Sequence, residues 1–160
     1  MTSQAADTSV RTSIVVEAPI ERAFSVFTDG IGGWWPPDHH ILEAELADMV
    51  FERRQGGHVY DRGVDGSECR WARVLAYDPP LRFVISWDIN LQWQLEKDAE
   101  KTSEVEVRFV ADGPDRTRVE LEHRNLDRHG EGWEQMAAAV GSPDGWGVGL
   151  RRFADAARAA

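Results

Sequence analysis

Five histidines, one cysteine and 28 acidic residues are the groups in this chain that could move protons or hold a metal. Asp38, His39, His40 and Glu43 crowd into one short segment. That composition offers metal ligands or an acid–base pair, because imidazole titrates near neutrality and binds divalent cations. Adjacent histidines point apart in most backbones, however, and neither HxH nor HExxH spacing is present. The segment is therefore read as an exposed polar loop, with no metal assigned. His123 shares strand parity with Val119 and Leu121. It is the best candidate for a polar group inside a cavity, against the alternative of a satisfied structural histidine. His58 opens a strand and is expected to be solvated. His129 is expected to contact the first turn of a C-terminal helix. Cys69 is alone, which excludes an intramolecular disulfide and a CxxC site, and nothing marks it as activated. No nucleophile elbow, phosphate loop, dinucleotide fingerprint or paired-carboxylate motif occurs. No catalytic residue and no cofactor is assigned.

Aromatic residues are the stronger signal. Seven tryptophans outnumber six phenylalanines and two tyrosines. Trp34 and Trp35 precede Pro36-Pro37, and Trp87 alternates with Phe83 and Ile85 along one strand face. Trp133 and Trp146 fall on helical stripes near the end. Each can serve as core, where indole brings a large apolar area and an N–H that finds a partner, or as a ligand contact. Trp71 has apolar neighbours at both parities, so its face is left open. Gly145, Gly147 and Gly149 sit in a helical segment, where glycine costs roughly 1 kcal/mol against alanine. Close approach of helix to sheet is the preferred reason. The alternative is that the missing side chains leave ligand space beside Trp146.

The elements that must position these residues follow from the pattern. Residues 1–9 are small and polar and are expected to be disordered, and 10–158 form one domain. Residues 10–16 read as a strand. Pro19 opens a short amphipathic helix over 19–28, and the stripe Ile31, Trp34, Trp35 gives a second before the proline pair. From residue 46 onward, short strands alternate with turn signals at Gln55-Gly56-Gly57, Asp65-Gly66, Asp78-Pro79-Pro80 and Gly113-Pro114-Asp115. Residues 89–102 carry weak patterning and read as a loop. Trp133, Met136, Ala137 and Val140 fit one helix face, and Ser142-Pro143 is a plausible cap for another bearing Trp146, Leu150, Phe153 and Ala157.

The net charge of −10 argues against nucleic acid or an anionic membrane as partner. The N-terminal segment lacks a basic start and an apolar core, and no apolar run approaches the ~20 residues of a membrane span. A cytoplasmic location is the expectation. The charges fall mainly on alternate strand positions, which implies an antiparallel sheet with one wet face. The other face must be covered, and only the C-terminal helix is long enough. A single helix gripped by a curved sheet leaves space that is plugged by large side chains or kept as a pocket.

The sequence resembles the activator of heat-shock-protein-90 ATPase homologue-like family of the helix-grip superfamily, which also holds START lipid-transfer domains, Bet v allergens and polyketide cyclases. The resemblance runs from about residue 12 to 155. It rests on A-P-x-E-R-A-F at 18–24, F-T-D-x-x-x-x-W-W-P at 27–36, G-G-x-V-Y at 56–60 and D-P-P-L-R-F-V-I-S-W at 78–87. E-V-E-V-R-F at 104–109, V-E-L-E-H at 119–123, H-G-x-G-W at 129–133 and S-P-x-G-W at 142–146 continue it. It implies an α+β helix-grip fold: a curved antiparallel sheet of about seven strands wrapped around a long C-terminal helix, with two short helices after the first strand.

Three functional readings follow. The preferred one is a non-enzymatic domain that holds an apolar or aromatic small molecule between sheet and C-terminal helix. Its expected contacts are Trp35 at the mouth, Phe83, Ile85, Trp87, Phe109 and His123 on the strands, and Trp133, Met136, Trp146, Gly149 and Leu150 on the helical segments. The second is a cyclase or dehydratase using His123 or one of His39, His40 and Glu43. The third, implied by the resemblance, is a co-chaperone-like activator of a heat-shock ATPase with a stress-response role. A homodimer is kept open.

Overall fold

In the computed structural model, described over residues 8–36 and 39–160, seven antiparallel strands form one curled sheet. They are β1 (Val10–Val16), β2 (Leu46–Phe51), β3 (His58–Gly63), β4 (Glu68–Asp78), β5 (Arg82–Trp87), β6 (Ser103–Ala111) and β7 (Thr117–Arg124), in the order β1-β7-β6-β5-β4-β3-β2. Every neighbour from β2 to β7 is joined by a short connection or the 88–102 loop. The first strand is the exception: it crosses to pair with the last, Val10 opposite His123 and Val16 opposite Thr117. Among the described residues, the α-helices are α1 (Ile20–Thr28), α2 (Trp133–Val140) and α3 (Val148–Ala159). Pro19 stands one residue before α1, and its carbonyl accepts from the Ala23 amide. The expected second short helix is a single 3-10 turn, Ile31–Gly33. The expected disorder of 1–9 falls mostly outside the described residues, but the Thr8 carbonyl accepts from the Leu126 amide. Among the described residues, no helix is long and apolar enough to cross a membrane.

This is the helix-grip fold, and one end of the concave face of the sheet is filled by phenylalanines. Phe24 and Phe27 of α1, Phe83 of β5, Phe109 of β6 and Phe153 of α3 interlock with centroid spacings such as 5.0 Å for Phe24–Phe109 and 4.8 Å for Phe27–Phe153. Phe51 adds an edge contact to Phe83 at 5.1 Å. These rings are buried and close one end of the groove. Such edge-to-face pairs add to the free energy of burial itself.

Two bulges in β4 explain the mixed parity there. Val59 pairs with Ala72 and Tyr60 with Arg70, so Trp71 is the extra residue. Val74 pairs with Ile85 and Ala76 with Val84, so Leu75 is a second. A bulge adds one residue and reverses the alternation beyond it. Trp71 and Ala72 are consequently both buried.

The outer face departs from the wet sheet expected. Glu106 is 4% exposed, because Arg82, Arg108 and Arg124 converge on its carboxylate at 3.0, 3.1 and 2.6 Å. Ser86, Asp88 and Thr102 are buried nearby, with Arg73 bonded to the latter two. Arginine stems roof this part of the sheet while their head groups stay paired. Burial alone would raise the Glu106 carboxyl, but its arginine hydrogen bonds prevail and hold it at about 2.

Candidate functional site

Beyond the phenylalanine plug the groove stays open as a cavity of about 570 Å³. Trp35, Trp87, Ile89, Val140, Trp146 and Gly149 form its wall, and exposed His39, Trp93 and Asp144 stand with half-buried His40 at its rim. Four indoles make a closed ring beside it. Centroid spacings are 5.3 Å for Trp35–Trp71, 5.6 Å for Trp71–Trp87, 5.7 Å for Trp87–Trp146 and 5.7 Å for Trp146–Trp35. Trp34 links this ring to the plug, 5.6 Å from Trp35 and 4.8 Å from Phe27. The large residues therefore divide the groove, with phenylalanine filling one end and tryptophan lining the other.

Two glycines shape the space, each for its own reason. Gly145 lies in the wide turn Pro143–Gly147 between α2 and α3, with non-helical dihedrals. A Cβ there would collide with the Ala139 and Val140 carbonyl oxygens. Its close approach is thus to the end of α2, and the expected approach to the sheet is corrected. Gly149, on α3, would place a Cβ 3.9 Å from Trp34 and nothing nearer, so its missing side chain leaves room in the cavity. Ser142 does not cap the following turn as expected. Its hydroxyl instead donates to the Ala139 carbonyl at 2.7 Å.

Behind the wall runs a buried hydrogen-bond chain whose direction follows from donor chemistry. The Trp146 indole N–H can only donate, and it lies 3.2 Å from His123 Nδ1. That nitrogen is therefore an acceptor. Burial, reinforced by His129, lowers the His123 pKa to about 3, so the ring is neutral and Nε2 carries its proton. Nε2–H donates to Ser103 Oγ at 2.7 Å, and the Ser103 hydroxyl donates onward to His129 Nε2 at 2.7 Å. Burial also lowers the His129 pKa, against the pull of Glu96 and Asp88. Its remaining proton then sits on Nδ1, a buried atom with no partner. His129 is 9% exposed and part of this chain, not a surface contact with a helix turn.

At the rim, His40 Nδ1 lies 3.0 Å from the Leu42 carbonyl oxygen. A carbonyl only accepts, so Nδ1 carries a proton, and in the neutral form of the ring the lone pair is on Nε2. Below this loop, Asp61 is fully buried and accepts from the Trp71 indole at 3.2 Å. Burial raises its pKa, partly offset by nearby His40. The same carboxylate, after burial, helps push the Cys69 thiol up to about 11, which makes it a poor nucleophile. Asp38 lies outside the described residues. Among those described, no group of three or more His, Cys, Asp or Glu side chains could hold a metal ion.

Trp93 was not visible from patterning, because it stands in the loop 89–102. The loop contains a small hairpin: Ile89 bridges Leu95, and the Asn90 carboxamide accepts from the Gln92 and Gln94 amides. Trp93 sits at its tip with φ +59° and 46% exposure. A left-handed backbone costs a bulky L-residue ~1–2 kcal/mol.

The expected ligand contacts separate by position. Trp35, Trp87, Trp146 and Gly149 border the cavity. Phe83 and Phe109 belong to the plug. Ile85, Met136 and Leu150 are buried in the core, and Trp133 is half-buried against it. His123 lies one layer back, behind Trp87 and Trp146.

Residues 17–157 match the model of the family described as Activator of Hsp90 ATPase homolog 1-like protein. No curated protein matches. Among solved structures, Txn09, described as an anthrahydroquino-gamma-pyrone synthase and solved in a complex, is 42% identical over 92% of this chain and 96% of its own, with a TM-score of 0.65. CalC from Micromonospora echinospora, described as a self-sacrificing resistance protein, is 31% identical over 94% of each chain, with a TM-score of 0.68. Protein NE0264 from Nitrosomonas europaea shares the fold at 13% identity, with a TM-score of 0.68 over 99% of each chain.

Proposed function

The chain belongs to the Activator of Hsp90 ATPase homolog 1-like family, and on that premise we propose that it binds an apolar or aromatic small molecule in the tryptophan-lined cavity. One observation carries the reading: a space of about 570 Å³ bordered by Trp35, Trp87, Trp146 and the bare backbone of Gly149. Cavities of this size and lining suit a drug-sized ligand, with apolar burial supplying affinity. A synthase of ring-bearing products at 42% identity supports the same class of ligand. Native mass spectrometry of gently purified protein should find a co-purified small molecule. Titration with apolar ligands should quench indole emission and raise the melting temperature. Absence of any bound mass, with neither quenching nor a thermal shift across aromatic and aliphatic libraries, refutes the proposal.

A catalytic version is favoured by His40. With its Nδ1–H committed to the Leu42 carbonyl, the neutral form of the ring has its lone pair on Nε2, and the ring borders the cavity. It would take a proton from a ligand held against the indoles, the role a general base plays in ring closure or dehydration. His40→Gln should then leave ligand affinity within about twofold while abolishing turnover. Equal turnover by the variant excludes His40 as base.

A further inference from the structure

Trp93 is the one cavity indole without a ring partner among the described residues. Trp35, Trp87 and Trp146 each pack against other rings, whereas Trp93 makes no ring contact among the described residues. It is 46% exposed, and its backbone is left-handed, a region favoured by glycine and asparagine and rare for bulky residues. Exposure of a large apolar ring and a strained backbone both oppose folding. Strain of this kind collects where a binding function requires it. The Trp93 amide donates to the Asn90 carbonyl, and the Asn90 side chain holds the amides on either side of Trp93, so the hairpin carries the ring at the rim.

From this we infer that Trp93 is a ligand clamp, whose indole face stacks on a flat aromatic ring system seated in the cavity. This rests on the binding reading above and narrows it from apolar molecules in general to planar π systems. Simple apolar burial would be served by any large aliphatic side chain on an unstrained backbone. An indole face adds quadrupole-directed stacking, which rewards flat rings and not puckered saturated ones. Trp35, which lines the same cavity, is anchored by its Nε1–H to the His39 carbonyl at 3.1 Å and by its ring contacts. It serves as the fixed wall against which the Trp93 hairpin holds the ligand.

The test uses the full chain and two fused-ring diketones, the flat three-ring anthraquinone and the saturated four-ring steroid androstanedione. Their affinities for wild type, Trp93→Gly and Trp93→Phe are measured by calorimetry or thermal shift. Glycine relieves the left-handed backbone and phenylalanine restores a ring. The inference expects Trp93→Gly to melt no lower than wild type and to bind anthraquinone about tenfold more weakly. Androstanedione affinity should change less than about twofold, and Trp93→Phe should recover most of the loss. Equal weakening of both diketones, unchanged anthraquinone binding, or a lower melting temperature for Trp93→Gly overturns it. Wild type that binds androstanedione but not anthraquinone overturns the clamp and leaves the binding reading standing. Wild type that binds neither overturns the clamp, and the binding reading is then decided by the native mass measurement and library titration described above.

Discussion

The sharpest consequence of the buried chain is a pH dependence of stability assignable to one residue. His123 titrates near its ordinary value of 6.5 when unfolded and near about 3 in the fold, where burial and His129 oppose its charge. Below about pH 6.5 the unfolded chain takes up a proton that the native state refuses. A depressed histidine therefore removes stability as pH falls, and goes on doing so until its folded pKa is reached. Each unit of pH costs about 1.4 kcal/mol for one such group. Between about pH 6.5 and about pH 4.5 the loss comes to about 2 kcal/mol, or roughly 4–8 °C in melting temperature for a chain of this size.

Two other groups act in the same range. His129, also lowered, contributes with the same sign. Asp61, raised by burial, contributes with the opposite sign, because its folded state gains the proton more readily. The comparison that isolates His123 is His123→Gln, whose amide can accept from Trp146 and donate to Ser103 but does not titrate. Urea unfolding followed from about pH 7 to about pH 4.5 should show wild type losing about 2 kcal/mol more than the variant. Parallel pH profiles for the two proteins would falsify the neutral, twice-bonded His123 and with it the direction assigned to the chain.

Ser103→Ala removes the hydroxyl between both histidines and leaves the His123 Nε2–H buried and unpaired; a cost of about 1–3 kcal/mol is expected by chemical denaturation. Gly145→Ala should destabilise strongly, by backbone collision with Ala139 and Val140, whereas Gly149→Ala, with nothing nearer than 3.9 Å, should gain up to about 1 kcal/mol of helix stability yet weaken ligand binding by filling the cavity. Melting temperature and ligand affinity measured together separate the pair. Glu106→Gln should cost about 1–2 kcal/mol at neutral pH, a figure discounted because its arginine partners are partly exposed. As a depressed carboxyl, Glu106 contributes above its ordinary value of 4.5 and loses that contribution as pH falls toward about 2, so wild type and variant should converge there.

Strand parity made much of this legible. Val119, Leu121 and His123 alternate strictly and lie on the inner face as their spacing requires, and Phe83, Ile85 and Trp87 share the inner face of β5, although Val84 and Ser86 between them are buried too. Parity could not say which inner residues meet the cavity, because α1 fills one end of the groove from above the sheet. Phe83 and Phe109 went to the plug for that reason. Trp71 resisted assignment because the bulge at that residue reverses the alternation, and bulges leave little trace in composition. His129 follows Asn125, whose φ of +60° breaks the chain direction, so no periodic pattern carries its position. Trp93 belongs to a hairpin too short for periodicity. Its signals were a large ring in an otherwise polar segment and an asparagine three residues earlier.

One break in the C-terminal helical segment ties these features together. Had α2 run straight into α3, residue 146 would have followed helical geometry over the groove. Instead the wide turn Pro143–Gly147, with Gly145 pressed against the carbonyls of Ala139 and Val140, carries the backbone sideways. Trp146 then reaches His123 with its N–H while its ring meets Trp35 and Trp87. The indole N–H is consumed behind the wall, so Trp146 offers the cavity its carbon surface and not a donor. Gly149, just past the turn, adds no side chain to the same space. The wall left by this arrangement is mostly apolar and aromatic; its polar side chains are His39, His40 and Asp144 at the rim and Ser142, whose hydroxyl is bonded to the Ala139 carbonyl. On the proposed reading, a ligand would carry its ring system inward, stacked under Trp93, and its polar atoms toward His40 at the mouth.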